Sequence, residues 1–138
     1  MKYLSLLIIG GFVLQSCEHC ERKSGTFENK LGQAIIVTSY KNYNPDIPFG
    51  TLSKIHTIQN NDNIMKVTNA CNDDGQSIVG IGNVLEGDSI VIDFGNKKIG
   101  YGVKNLTSNR NPYFLARQEP FPSNFVYTVT VADYINAP

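Results

Sequence analysis

Asp88-Ser89-Ile90-Val91-Ile92-Asp93-Phe94-Gly95-Asn96-Lys97-Lys98-Ile99-Gly100-Tyr101-Gly102-Val103 decides the fold class. Two stretches of period-two patterning flank Gly95-Asn96. Gly-Asn suits a two-residue hairpin loop, because glycine accepts the positive φ of the first loop position. Such a loop pairs residues whose numbers sum to a constant. Here that sets Ile92 opposite Ile99 and Ile90 opposite Tyr101 on one face, and Asp93 opposite Lys98 on the other. A slip of one residue would destroy both the apolar and the opposite-charge matches, so the register is specified.

Working outward, Gln33–Lys41 holds Ala34-Ile35-Ile36-Val37-Thr38, apolar on both faces as a central strand would be. Phe125–Val131 sets Phe125, Tyr127, Val129 and Val131 on one face, with threonines on the other. Leu52–Gln59 and Ile64–Thr68 flank Asn60-Asn61-Asp62-Asn63, which reads as a hairpin loop. Gln76–Val84 reads as a strand with close backbone approach at Gly80 and Gly82, or as an ordered loop. No segment sustains a 3.6-residue period, although Asn111–Gln118 and Val131–Asn136 have room for a helical turn each. These elements predict an all-β domain of six to eight strands: an antiparallel β-sandwich (Ig-like) or a small open barrel.

Composition agrees. The chain has 138 residues, 41% hydrophobic and 17% charged, with no net charge. That is enough apolar content for one core. Fifteen asparagines and twelve glycines favour strands and turns over solvated helices. A neutral chain lacks the basic face that nucleic acid requires.

The N-terminus reads as an address. Met1-Lys2 is followed by an apolar run over Leu4–Leu14 and then by Gln15-Ser16-Cys17. A charged start, a short apolar run and a small residue before the cut describe a secretory signal peptide. Leu14-Gln15-Ser16-Cys17 resembles the lipobox of bacterial lipoproteins, although Gln15 departs from the usual small residue. The resemblance implies acyl chains such as palmitate on Cys17 and cleavage before it. Several chains on one residue anchor stably where one chain would not. The expected organisation is a signal peptide over 1–16, a lipidated tether over 17–25 and a β-sandwich domain over 26–138.

Chemistry is sparse. Cys17-Glu18-His19-Cys20 has the C-x-x-C spacing, but a zinc site needs four ligands, and a lipidated Cys17 could not serve. After acylation two thiols remain, Cys20 and Cys71, which an oxidising envelope would pair as a disulfide if they meet. Asp73-Asp74-Gly75 lacks the oxygen ligands of a calcium loop and reads as a turn. No cofactor or metal site is expected. His56, with Asp46 or Asp62, supplies the one enzymatic alternative, a small hydrolase; a third is an inhibitor or immunity lipoprotein. The aromatic-rich stretch from Tyr40 through Tyr43 to Phe49 is the expected binding loop, because Pro45 and Pro48 restrict it. Its rings, and those of Tyr113, Phe114 and Phe121, could instead plug the sandwich.

Asp88–Lys98 and Tyr127–Ala137 together are similar to stretches of small envelope lipoproteins of Bacteroidota that have no assigned function. The resemblance implies a lipid-anchored protein of the outer membrane or cell surface and brings no catalytic residues. Asp88-Ser89-Ile90 also fits the short O-glycosylation acceptor of those bacteria. The expected role is a non-catalytic interaction module for an envelope protein or a glycan.

Overall fold

The computed structural model describes residues 21–42, 50–70, 80–103, 109–115 and 124–138. Its strands are β1 (Glu21–Asn29), β2 (Ile35–Lys41), β3 (Thr51–Ile58), β4 (Asn63–Ala70), β5 (Ser89–Asp93), β6 (Lys98–Gly102) and β7 (Asn124–Val129). Three short helices join them: α1 (Ile81–Leu85), α2 (Pro112–Leu115) and α3 (Val131–Asn136). The strands form two sheets, β4-β1-β7 and β3-β2-β5-β6. This is an all-β sandwich. One pair, β1–β7, runs parallel, so the smaller sheet is mixed. The strand order also differs from the A-B-E-D and C-F-G sheets of the immunoglobulin sandwich.

The hairpin register is the expected one. Ile92 faces Ile99, Ile90 faces Tyr101 and Asp93 faces Lys98. The Asp93–Lys98 pair closes at 2.9 Å, and Gly95 carries φ of 95°. Asp93 Oδ1 also accepts the Gly95 N–H, fixing the turn. Ile90 and Ile92 are fully buried. β2 is central, with Ile35 and Val37 inward, yet Ile36 on its outer face is 43% exposed.

Four expectations change. First, β1 begins at Glu21, inside the stretch read as a tether. Its inward residues are Gly25, Phe27 and Asn29, so only one large apolar side chain marks it. Second, 59–62 is not a hairpin loop. β3 belongs to one sheet, whereas β4 pairs with β1 in the other. Buried Asn29 organises this corner: its Nδ2 donates to the carbonyls of Gln33 and Ile58, and its carbonyl accepts from Asn61 N–H. Third, 81–85 is a helical turn. Ile81, Val84 and Leu85 bury together at helical spacing, and α1 packs on β1 and β4. The close approach expected at Gly82 is present, since a Cβ there would lie 2.8 Å from the Gly87 carbonyl oxygen. Fourth, β7 ends at Val129. Val131 opens α3 and is exposed, because the Thr130 side chain caps the helix.

One core spans both sheets. Phe27 stacks on Tyr127 at 5.4 Å between ring centroids, and Tyr101 of the larger sheet meets Tyr127 edge-on at 6.5 Å. Ser89 is fully buried, so the folded domain does not present it as a glycan acceptor.

Candidate functional site

Among the described residues, polar side chains gather in two places, one closed and one open. The closed cluster surrounds Asp133, which is fully buried on α3. Its carboxylate accepts hydrogen bonds from Tyr127 Oη (2.7 Å), Tyr101 Oη (3.2 Å), Arg110 Nε (3.1 Å) and the Thr130 N–H (2.9 Å). Arg110 Nη2 completes a two-pronged ion pair and stands behind the Tyr127 ring. Burial would raise the Asp133 carboxyl, but the bonds from Arg110, Thr130 and Tyr127 outweigh it and hold it below its ordinary value. Burial, reinforced by the Asp133 charge, pushes the Tyr101 phenol up to about 12. Both Asp133 oxygens accept from within the cluster, so it fastens α3 and β7 to β6.

The open site is a cleft of about 730 Å³ between α1, the ends of β2 and β6 and the middle of β4. Lys41, Asn42, Lys66, Asn83, Glu86 and Asp88 are among its lining, and the Lys66 and Lys41 charges both act on Glu86. Tyr113 forms part of the lining; its buried ring donates through Oη to the Gly87 carbonyl at 3.2 Å. The cleft mixes both charges with amides, a chemistry suited to a polar partner. Its shape depends on Gly87, where a Cβ would come 2.6 Å from the Tyr40 carbonyl oxygen. Glu86, at φ 58°, is pinned to β3 by Lys54 Nζ at 2.8 Å and by Ser53 Oγ on its carbonyl.

Tyr40 lies in β2 rather than in a loop. It pairs with Leu52 and Ser89, and its carbonyl accepts from Asp88 N–H. The strand runs one residue past it because β3 and β5 flank it on both sides. Tyr43 and Phe49 lie outside the described residues, as do Cys17, Cys20, Cys71, Asp46, Phe121 and the Asp73–Gly75 turn. Tyr113 is a plug, 5% exposed.

His56 lies in β3 opposite Val37. Burial, helped by the Lys54 charge, pulls its imidazole below the ordinary value, against Glu86 and a hydrogen bond to the Leu85 carbonyl. The structure does not join it to Asp62, whose Oδ1 accepts from Asn63 N–H at the corner. His56 Nε2 and the fully enclosed Ser39 Oγ are buried without a hydrogen-bond partner. Among the described residues, no three His, Cys, Asp or Glu side chains gather as a metal site requires.

Sequence reasoning missed Asp133 and the cleft. Thr130-Val131-Ala132-Asp133 carries the capping pattern that would have placed Asp133 at a helix start. The cleft has no such signal, because three strands and a helix meet there only in the fold. In comparisons with known proteins, no protein-family model, no curated protein and no solved structure matches this chain.

Proposed function

We propose that the chain is an envelope lipoprotein of the outer membrane or cell surface. Acyl chains on Cys17 anchor it, and the sandwich binds an envelope protein or glycan without catalysing a reaction. The anchoring half rests on the order of charged start, apolar run and lipobox. The binding half rests on one observation: Asn42 and Gly50, the described residues that flank the aromatic segment 43–49 in the chain, meet at the cleft. Lys41 and Asn42 line that cleft, and Gly50 returns against them, its Cβ position 2.5 Å from the Lys41 carbonyl oxygen. Tyr43 and Phe49 are the chain neighbours of these two residues, and rigid aromatics make strong anchors beside a polar surface.

The test is capture. Wild-type protein and a Tyr43→Ala, Phe49→Ala variant are immobilised and exposed to envelope extracts and to an array of envelope glycans. The expected result is a retained partner that the variant binds at least tenfold more weakly, as losing a hot-spot aromatic worth roughly 2 kcal/mol would produce. The melting temperature should stay at the parent's. Equal capture by both proteins rejects the loop as the binding element. A large fall in melting temperature shows instead that these rings belong to the core.

A further inference from the structure

We propose that the cleft binds an acidic saccharide, with Lys41 and Lys66 holding its carboxylate or phosphate and Glu86 and Asn42 holding its hydroxyls. This ligand class rests on the binding role proposed above for the same cleft.

Charge is the first support. Lys41 ends β2 in the larger sheet, Lys66 lies in β4 of the smaller one, and both are exposed. The fold brings them to one carboxylate: after the Lys54 hydrogen bond and charge, the Lys66 and Lys41 charges help to hold Glu86 below its ordinary value. Lys54 already neutralises Glu86 at 2.8 Å, and among the described residues neither Lys41 nor Lys66 forms an ion pair. Asp88 is the other acid of the lining, and its Oδ1 accepts from the buried Ser89 Oγ at 3.3 Å. Outside the Lys54–Glu86 pair the lining therefore carries two cations to one acid, a balance that favours an anion.

Backbone conformation is the second. Among the described residues three non-glycines have positive φ, and two of them, Asn42 at 56° and Glu86 at 58°, line the cleft. Asparagine accepts that region readily, but glutamate does not. Glu86 caps α1 in the position that glycine usually takes, although Gly87 follows at once. Ser53 Oγ on its carbonyl and Lys54 on Oε1 hold it there. Strain kept by dedicated contacts is a mark of functional residues. Here it fixes the Glu86 carboxylate at the cleft, with Oε2 lacking a partner among the described residues.

Size and chemistry then select the ligand. The volume of about 730 Å³ falls among small-ligand sites, roughly 300–1,000 Å³, whereas a stable protein partner covers about 800 Å² of surface. A bare anion has no hydrogen to give Glu86, and a neutral sugar leaves both ammonium groups idle. An acidic saccharide gives its anion to the lysines, and its hydroxyls reach Glu86 Oε2 and the Asn42 amide.

Full-length protein is titrated calorimetrically with oligogalacturonate, a phosphorylated mannose oligosaccharide, neutral galactose and mannose oligomers of equal length, and an oligoglutamate peptide. One acidic sugar should bind at least about tenfold more tightly than its neutral counterpart, as charge-assisted bonds imply. Added salt should weaken that sugar alone. Which acidic sugar binds separates a carboxylate from a phosphate source. Lys41→Gln combined with Lys66→Gln should reduce its affinity to that of the neutral oligomer and leave the melting temperature unchanged. Glu86→Gln should weaken it too; a gain in affinity would overturn the role of Glu86 as hydroxyl acceptor. Failure of both acidic sugars to bind, equal binding of the neutral forms, or binding that the double lysine variant keeps overturns the proposal. A preference for oligoglutamate overturns it in favour of a protein partner. Acidic sugar retained by Tyr43→Ala, Phe49→Ala upholds the cleft and rejects the aromatic anchors. An envelope partner captured equally by the parent and the double lysine variant, but lost with the aromatics, rejects the acidic saccharide and leaves the earlier reading intact.

Discussion

Asp133 shows how one side chain can hold a fold together. It sits on a six-residue helix, yet it joins β6 through Tyr101, β7 through Tyr127 and the segment before α2 through Arg110. A carboxylate fully out of water is stable only with such partners. Asp133→Asn would keep the shape and remove the charge, leaving Arg110, about one-third exposed, without its counter-ion. The expected loss is roughly 3 kcal/mol, toward the lower end for breaking a buried pair. The pH dependence follows in sign. The folded carboxyl lies below its ordinary value, so the unfolded chain takes up the proton first. Its contribution is complete above about pH 4 and is lost as pH falls through the folded value. Urea midpoints from pH 7 to pH 3 should fall more steeply for the parent than for Asp133→Asn; parallel curves would refute the assignment. The Thr130–Asp133 spacing was readable because capping is local. Arg110, 23 residues away, was not, because no sequence pattern carries that distance.

The same division between local and distant appears among the elements. The β5–β6 hairpin was legible residue by residue, because its loop sets which residues meet. β1 was illegible. It is the middle strand of its sheet, but its partners are more than thirty residues away, and glycine and asparagine occupy two of its inward positions. The corner at 59–62 misled for the same reason. Two flanking strands and a polar loop describe a hairpin and a sheet-to-sheet crossing equally well, and only Asn29 from β1 decides between them. The hairpin can be tested by its two faces. Ile92→Ala removes a fully buried side chain and should cost about 2–5 kcal/mol. Asp93→Ala loses an exposed ion pair and the bond to Gly95, and should cost about 1 kcal/mol or less. Chemical denaturation of both variants measures the contrast, and equal costs would contradict the register.

At the scale of the whole molecule, the core and the proposed anchor are separable. The buried cluster starts at Phe27 and draws on both sheets. No helix among the described residues is long and apolar enough to cross a membrane. In the proposed reading membrane attachment comes from Cys17, four residues before the first described strand. A chain of four residues reaches at most about 14 Å, so an anchored domain would ride close to the bilayer. Two consequences diverge under Cys17→Ala. Attachment should be lost, moving the protein from the membrane fraction to the soluble one with no acyl mass. Stability should change by less than about 0.5 kcal/mol, since the buried cluster begins only at Phe27. Fractionation, intact mass and thermal melting of the same preparation measure both. A variant that stays with the membrane, or a native mature chain that begins elsewhere than Cys17, would remove the anchor from the proposal and leave the sandwich and its cleft standing on their own geometry.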